Sequence, residues 1–126
     1  MPKKILNAPS APAPVGPYSV ATEAHGFVFV SGQLGMDTAA GKLVDGGVEA
    51  ETHQIMKNLS AILGDLGLGY DDIVKTTIFL ADMGDFPLVN AAYGEYVDAA
   101  KPARSTVEVA ALPLGVAIEI EVIAAR

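Results

Sequence analysis

The chain has 126 residues, a length that fits one domain with a single hydrophobic core. Hydrophobic residues make up 51% of it and charged residues only 18%, which leaves little polar surface to cover a monomer and favours a homo-oligomer. The formal net charge is -7, and this argues against a nucleic-acid partner because binding to phosphates needs clustered Lys and Arg.

The absence of cysteine excludes disulfides, thiolate nucleophiles and Cys-ligated metals. No apolar run approaches the ~20 residues of a membrane span. Lys3 and Lys4 are not followed by a hydrophobic run of the kind found in signal peptides. We therefore expect a cytoplasmic protein that does not associate with membranes.

Residues 1–126 are predicted to form one domain, with residues 1–15 as an extended arm rich in proline. Proline fixes the backbone φ angle and lacks an N–H donor, so this arm should not be helical. Residues 18–24 and 27–31 are predicted to be two strands joined by a tight turn at His25-Gly26. In a two-residue turn Ala24 faces Phe27, and Tyr18 lies diagonally across from Ser31.

Residues 35–47 are rich in Gly and Asp and are predicted to be a loop. Apolar residues at three- and four-residue spacing predict a helix over residues 48–66, ended by Gly67. Residues 73–80 are predicted to be a strand. Asp85 is the expected cap of a second helix, with Pro87 in its first turn. The apolar side of this helix is predicted to carry Phe86, Val89, Tyr93 and either Tyr96 or Val97.

The last two strands, residues 105–110 and 116–124, are predicted to pair as an antiparallel hairpin. In that register Glu108 faces Glu119 and Thr106 faces Glu121. One face would be apolar and packed against the helices. The other face would carry five polar side chains, namely Arg104, Thr106, Glu108, Glu119 and Glu121.

The element order is β-β-α-β-α-β-β, which predicts an α+β fold with a mixed sheet and two helices on one face. The face of the sheet that the helices leave uncovered is the expected oligomer surface.

The sequence contains no phosphate-binding loop, dinucleotide-binding glycine motif, metalloprotease helix motif or Gly-x-Ser-x-Gly motif. His25 and His53 are isolated and predict no zinc site, and Lys75 is no more than a weak Schiff-base candidate. The remaining chemistry lies at Arg104, whose planar fork of donors suits a carboxylate or a phosphate. From spacing alone, a salt bridge from Arg104 to Glu108, Glu119 or Glu121 is the favoured interpretation.

Several motifs in a fixed order resemble those of the RidA/YjgF family of imine and enamine deaminases, and together they cover nearly the whole chain. They are GPYS at 16–19, FVSGQ at 29–33, NLSAIL at 58–63, VKTTIFLADMGDF at 74–86, VNAAYGEY at 89–96, PARSTVEVAALP at 102–113 and IEIEVIA at 118–124.

The resemblance implies a chorismate-mutase-like fold assembled as a homotrimer with a central β-barrel and sites in clefts between subunits. It implies hydrolysis of 2-imino acids, such as 2-iminobutanoate and 2-iminopropanoate, to 2-oxo acids and ammonia, without metal or cofactor. Such imines arise from enamines that pyridoxal-phosphate enzymes release.

The resemblance also implies the site residues. Arg104 would bind the substrate carboxylate, and Glu119 would orient the attacking water and move protons. The remaining residues implied to contact the substrate are Tyr18, Ser31, Gly32, Asn90 and Thr106.

Two positions depart from the family pattern. Thr106 stands where many relatives have Cys, so it cannot host thiol chemistry, although its backbone carbonyl can still hold the water. Gly35 stands where many have Pro, which predicts a looser loop and leaves the substrate preference open.

Two alternative functions also stay open: a deaminase for a larger enamine, such as 2-aminomuconate, and a chaperone-like or ligand-binding trimer without catalysis. An endoribonuclease is disfavoured by the net charge of -7.

Overall fold

The structure, a computed structural model, describes residues 2–126 as a sheet covered on one face by two helices. The six-stranded sheet has the order β1-β2-β3-β8-β6-β7, and β4 and β5 form a separate small ribbon. The strands are β1 (Lys4–Leu6), β2 (Ala21–Ala24), β3 (Phe27–Gln33), β4 (Met36–Asp37), β5 (Lys42–Leu43), β6 (Ile73–Leu80), β7 (Ala103–Glu108) and β8 (Ile118–Ala125). The helices are α1 (Gly47–Asp65) and α2 (Phe86–Val97). The predicted α+β class and the order of its main elements are confirmed.

The first hairpin has the predicted turn. Ala24 pairs with Phe27, and His25 and Gly26 have φ angles of 53° and 81°, the left-handed pair that a two-residue turn of this kind requires. The sequence did not predict β1, which pairs antiparallel with β2 and forms one edge of the sheet. It also did not predict the β4–β5 ribbon inside residues 35–47.

The helix α1 supplies most of the core, as its spacing predicts. Its inward residues are fully buried, and they pack with buried side chains of β3, β6 and β8. The helix ends before Gly67, whose φ of 77° is the left-handed conformation expected of a helix stop. The fully buried apolar members from α1 are Ile55, Met56, Leu59, Ile62 and Leu63.

The start of α2 differs in one detail from the prediction. Asp85 occupies the N-cap position, but its side chain makes no capping hydrogen bond. The carboxylate of Asp82 instead accepts from the Gly84 N–H at 2.8 Å and begins a short 3₁₀ turn that leads into the helix. Pro87 lies in the first turn, as predicted. Val97 is 3% exposed and therefore belongs to the apolar side of the helix.

The predicted hairpin of the last two strands is wrong. Strand β7 lies parallel to β6 at the edge of the sheet, and β8 lies between β3 and β6. The physical reason is the segment β6-α2-β7, since two strands joined through a helix return to the sheet side by side and parallel. The burial patterns agree with a central β8 and an edge β7, because every second residue of β8 is buried whereas β7 has no buried residue.

This topology also changes which side chains share a face. Arg104 lies opposite Thr76, which lies opposite Val122, so Arg104 is on the face covered by the helices. Glu119 lies opposite Phe79 and is on the uncovered face. The polar face predicted for the hairpin, with Arg104, Thr106 and Glu108 beside Glu119 and Glu121, is therefore wrong. Val107 is on the uncovered face and 41% exposed.

The loop that contains Gly35 is held by several contacts. The Gly35 carbonyl accepts from the Val44 N–H at 2.9 Å, and the Asn58 amide donates to the Met36 carbonyl at 2.8 Å. A Cβ on Gly35 would stand 2.9 Å from the Cα of Glu51, on the backbone of α1. Glycine at this position lets the helix approach the loop closely, and these contacts tether the loop; that the loop is looser than in relatives with proline stays a prediction.

Along residues 2–126, no helix is both long and apolar enough to cross a membrane.

We expect Gly35→Ala to destabilise the protein by about 1–3 kcal/mol, because the added methyl group overlaps backbone that cannot move without displacing α1. The matched control is Gly64→Ala inside α1, where a Cβ meets nothing within 4 Å. That change should stabilise the protein by about 0.5–1 kcal/mol, since alanine has the higher helix propensity. Denaturant unfolding of both variants measures the difference, and equal stabilities would contradict the close approach.

Candidate functional site

Arg104 is held against α2 by three side chains of that helix. Its Nη1 donates to the Asn90 Oδ1 at 2.6 Å. Its guanidinium carbon lies 5.3 Å from the ring centroid of Phe86 and 5.3 Å from that of Tyr93. Such distances correspond to cation–π contacts. Phe86, Asn90 and Tyr93 share one side of α2 because they are spaced by four and three residues. We call these three residues the α2 cradle.

The predicted salt bridge of Arg104 is wrong. Along residues 2–126, Arg104 forms no ion pair, and the α2 cradle provides its only side-chain hydrogen bond. Glu108 instead accepts from the Met83 N–H at 2.8 Å. The Nε and Nη2 of Arg104 have no partner in this part of the chain, so the guanidinium keeps donors for an anion.

A groove of about 440 Å³ lies beside Arg104. Asn90, Tyr93 and Arg104 line it together with residues beyond the carboxyl end of α2, among them Asp98 and Lys101, which pair with each other at 3.1 Å. The groove therefore combines an aromatic ring, an amide and the positive charge of Arg104, which suits a small anion with an apolar body.

Glu119 belongs to a second cluster on the uncovered face. The pairing of β3 with β8 is irregular between Val30 and Gln33, so Ser31 and Gly32 form a bulge. A Cβ on Gly32 would occupy the position of the Glu119 carboxylate, which shows that this carboxylate lies directly on the bulge. The Ser31 hydroxyl donates to the Ser19 carbonyl at 2.7 Å and ties the bulge to the preceding segment.

The electrostatics of Glu119 favour the protonated form. Burial raises the pKa of Glu119 above its ordinary value of 4.5, and the negative charge of Glu121 raises that pKa further. A carboxyl group with a raised pKa exchanges protons closer to neutral pH, which suits it to general acid–base chemistry.

The remaining predicted site residues divide between the two clusters. Tyr18 lies next to Ser19 near the bulge and is 51% exposed, but it precedes β2 and is not part of a strand. Thr106 lies on the helix-covered face two residues after Arg104. Its buried hydroxyl has no hydrogen-bond partner along residues 2–126.

Other polar candidates have local partners. Lys75 donates to the Ser105 hydroxyl at 2.9 Å, and His53 Nδ1 lies 2.8 Å from the Tyr96 hydroxyl. The described part of the chain contains no group of three or more His, Cys, Asp or Glu side chains arranged to hold a metal.

The structure thus brings the predicted residues together as two half-sites. One half-site has Arg104 with the α2 cradle, and the other has Glu119 with Ser31 and Gly32 on the opposite face of the sheet. Within one chain the sheet separates the arginine from the glutamate.

Phe86 and Tyr93 were missed as functional residues and assigned only to the apolar side of the helix. A signal was present in the sequence, since the polar Asn90 interrupts that apolar stripe at the position between the two rings. Arg104 is the second residue of β7, the strand that follows this helix. The β-α-β connection could therefore have predicted that Arg104 lies close to α2.

Comparison with known proteins gives consistent results. The family model described as Endoribonuclease L-PSP matches residues 8–126. A protein of Mus musculus named 2-iminobutanoate/2-iminopropanoate deaminase is 45% identical over 124 residues, covering 98% of this chain and 92% of the relative. The chloroplastic Reactive Intermediate Deaminase A of Arabidopsis thaliana is 50% identical over 122 residues, which cover 97% of this chain and 65% of that longer protein.

Solved structures agree with the sequence relatives. The Rid family protein YyfA of Yersinia pestis superimposes with a TM-score of 0.93 at 42% identity, covering 98% of this chain and 99% of the other. The E. coli protein TdcF, solved with bound serine, gives a TM-score of 0.89 at 36% identity, with 98% of each chain covered. The chain therefore belongs to the RidA/YjgF family, the family that the Endoribonuclease L-PSP model describes.

Proposed function

We propose that this protein hydrolyses 2-imino acids and their enamine tautomers to 2-oxo acids and ammonia. The observation that carries the proposal is the unpaired guanidinium of Arg104, held by the α2 cradle beside an open groove. A positive charge that has no carboxylate partner along residues 2–126 is suited to a carboxylate from outside. The mouse relative is named for this activity, and the E. coli relative was solved with an amino acid bound.

In the proposed mechanism Arg104 binds the substrate carboxylate through its free donors and fixes the imine carbon in place. Glu119 orients a water molecule, takes one of its protons as the oxygen attacks the C=N carbon, and delivers protons to nitrogen. The resulting carbinolamine expels ammonia and leaves a C=O group. The chemistry needs no metal or cofactor because a protonated imine is already electrophilic. The backbone carbonyl of Thr106 is a further candidate to hold the water.

The separation of the half-sites supports a homotrimer with sites shared between neighbours. In this arrangement the Arg104 half-site of one subunit meets the Glu119 half-site of the next, and Tyr18, Ser31 and Gly32 complete the pocket. The uncovered sheet face would then form a central barrel. Its exposed apolar side chains, which include Phe27, Phe29 and Val107, are consistent with a buried interface.

The proposal also places the protein in the cytoplasm with small molecules as its partners. The net charge of -7 weighs against RNA as a substrate, because counterion release needs clustered cations.

The first test is hydrolysis of 2-iminobutanoate generated in situ by an amino-acid oxidase, scored as accelerated release of ammonia. We expect Arg104→Ala to raise KM about 10- to 100-fold, the loss that corresponds to a charge-assisted hydrogen-bonded contact. Arg104→Lys should recover only part of the loss, since lysine lacks the bidentate fork.

The matched control is Arg126→Ala. Arg126 pairs with Glu23 and the Leu66 carbonyl and lies outside both half-sites. Its kinetics should equal those of the wild type. Comparing the rates for 2-iminobutanoate and 2-aminomuconate distinguishes a deaminase for larger enamines. Ligand binding without turnover of any imine would refute the proposed hydrolase activity.

The shared site predicts complementation between inactive chains. At substrate concentrations below the wild-type KM, Arg104→Ala and Glu119→Gln alone should each show no more than about a tenth of wild-type activity, but random mixed trimers should recover about a quarter of it, since one interface in four combines both intact residues. Refolding or co-expression of the two variants followed by the ammonia assay measures the recovery. Activity that stays at the level of the single variants would contradict a site shared between subunits.

Glu119 predicts the pH dependence. Glu119 must be ionised to accept a proton from water, so kcat/KM should rise with pH through a limb centred above the ordinary value of 4.5, because the pKa of Glu119 is raised. Glu121→Gln removes a charge that raises this pKa, and we expect the limb to move to lower pH. If the limb instead reflected titration of the imine substrate, Glu121→Gln would leave its position unchanged.

The control for that measurement is Glu49→Gln, which changes an exposed carboxylate in the first turn of α1. Its pH profile should coincide with that of the wild type. A limb that is unmoved in Glu121→Gln would show that Glu119 does not control it.

A further inference from the structure

The Tyr93 ring that stacks on Arg104 is itself anchored to the sheet. The Tyr93 hydroxyl lies 2.8 Å from the Thr76 hydroxyl, and this hydrogen bond is buried. Tyr93 is 5% exposed and Thr76 is 1% exposed. A buried hydroxyl that loses its only partner is costly, so each of these two side chains strongly restricts the position of the other.

Thr76 is also the residue directly beside Arg104 in the sheet. The register of β6 and β7 places Thr76 opposite Arg104, and opposite residues share a face. The strand pairing, the Thr76–Tyr93 hydrogen bond and the Tyr93–Arg104 stack therefore connect three side chains in a closed loop. The pairing of β6 with β7 sets the backbone distance between Thr76 and Arg104 and so closes the loop.

These contacts help to fix the orientation of Arg104. Arginine has a long flexible side chain, and an arginine that is paired with a carboxylate is held in place by that pair. Arg104 has no such pair along residues 2–126, so its orientation depends on neutral contacts. A ring that is fixed at its hydroxyl and lies 5.3 Å from the guanidinium carbon restrains the guanidinium without occupying any of its N–H donors.

We propose that Thr76 and Tyr93 are positioning residues that orient the Arg104 guanidinium toward the substrate carboxylate. The inference rests on the proposed function, because it assigns Arg104 the carboxylate. Tyr93 lines the groove, but the proposed mechanism gives neither Thr76 nor Tyr93 a part in the attack of water or the transfer of protons. Their loss should weaken carboxylate binding and leave the chemical step intact.

The informative variants separate the ring from the hydroxyl. Tyr93→Leu removes the stack, and we expect KM for 2-iminobutanoate to rise about tenfold, the upper range of a cation–π contact. The double variant Thr76→Val/Tyr93→Phe removes both hydroxyls and keeps the ring, so it should fold normally and raise KM about threefold. In both variants kcat should stay within about twofold of the wild type.

The control is Tyr96→Phe, which removes a hydroxyl from the same helix. The Tyr96 hydroxyl is bonded to His53 and not to the groove. Its KM and kcat should match the wild type. A general loosening of α2 would affect kcat and KM together, and would affect Tyr96→Phe as well.

A second measurement is independent of turnover. Binding of 2-oxobutanoate and of its methyl ester is measured by calorimetry for the wild type and each variant. We expect the dissociation constant of the acid to rise in parallel with KM, whereas that of the ester, which has no carboxylate, stays unchanged. If the acid and the ester weaken equally, Thr76 and Tyr93 have only a structural role and the inference is overturned.

The remaining outcomes separate the two proposals. A wild type that binds and hydrolyses normally, with variants that match it in KM and in acid binding, overturns this inference alone. A wild type that neither binds 2-oxobutanoate nor hydrolyses any imine overturns the proposed function, and this inference with it.

Discussion

The parallel pairing of β7 with β6 is the constraint on which the candidate site depends. It places Arg104 beside Thr76 on the face that α2 covers, where two aromatic rings and an amide hold the guanidinium. The same pairing leaves β8 in the centre of the sheet, with Glu119 on the other face. If β7 paired with β8, the arginine would lie among three glutamates and its charge would be neutralised within the chain.

The two half-sites have complementary properties. Arg104 has a positive charge without a carboxylate partner along residues 2–126, and Glu119 is a partly buried carboxyl whose pKa is raised by burial and by Glu121. Burial and the charge of Glu121 disfavour the ionised form of Glu119 in the single chain, whereas the guanidinium of Arg104 is available to an anionic ligand. This complementarity explains why we propose a shared site, and why assembly and substrate binding should be energetically linked.

Sequence reasoning succeeded where the signal was local. The α1 stripe, the Gly67 stop and the His25-Gly26 turn each depend on residues within a few positions of one another. It failed for β7 and β8, where a short connection suggested a hairpin and the longer β6-α2-β7 connection decided the pairing. The residue list implied by the family resemblance contained Arg104, Asn90 and Glu119, but their distribution between two faces depended on that pairing.

The sequence by itself determined the class of the fold, the positions of its helices and most strands, and the residue types available for chemistry. These follow from periodicity, turn propensity and composition, which are properties of neighbouring residues. Only the tertiary structure decided that Arg104 contacts the rings of Phe86 and Tyr93 and has no carboxylate partner along residues 2–126, and that Glu119 rests on the bulge at Gly32. Strand order sets which distant residues become neighbours, and many strand orders are compatible with the same local pattern of hydrophobic and polar residues.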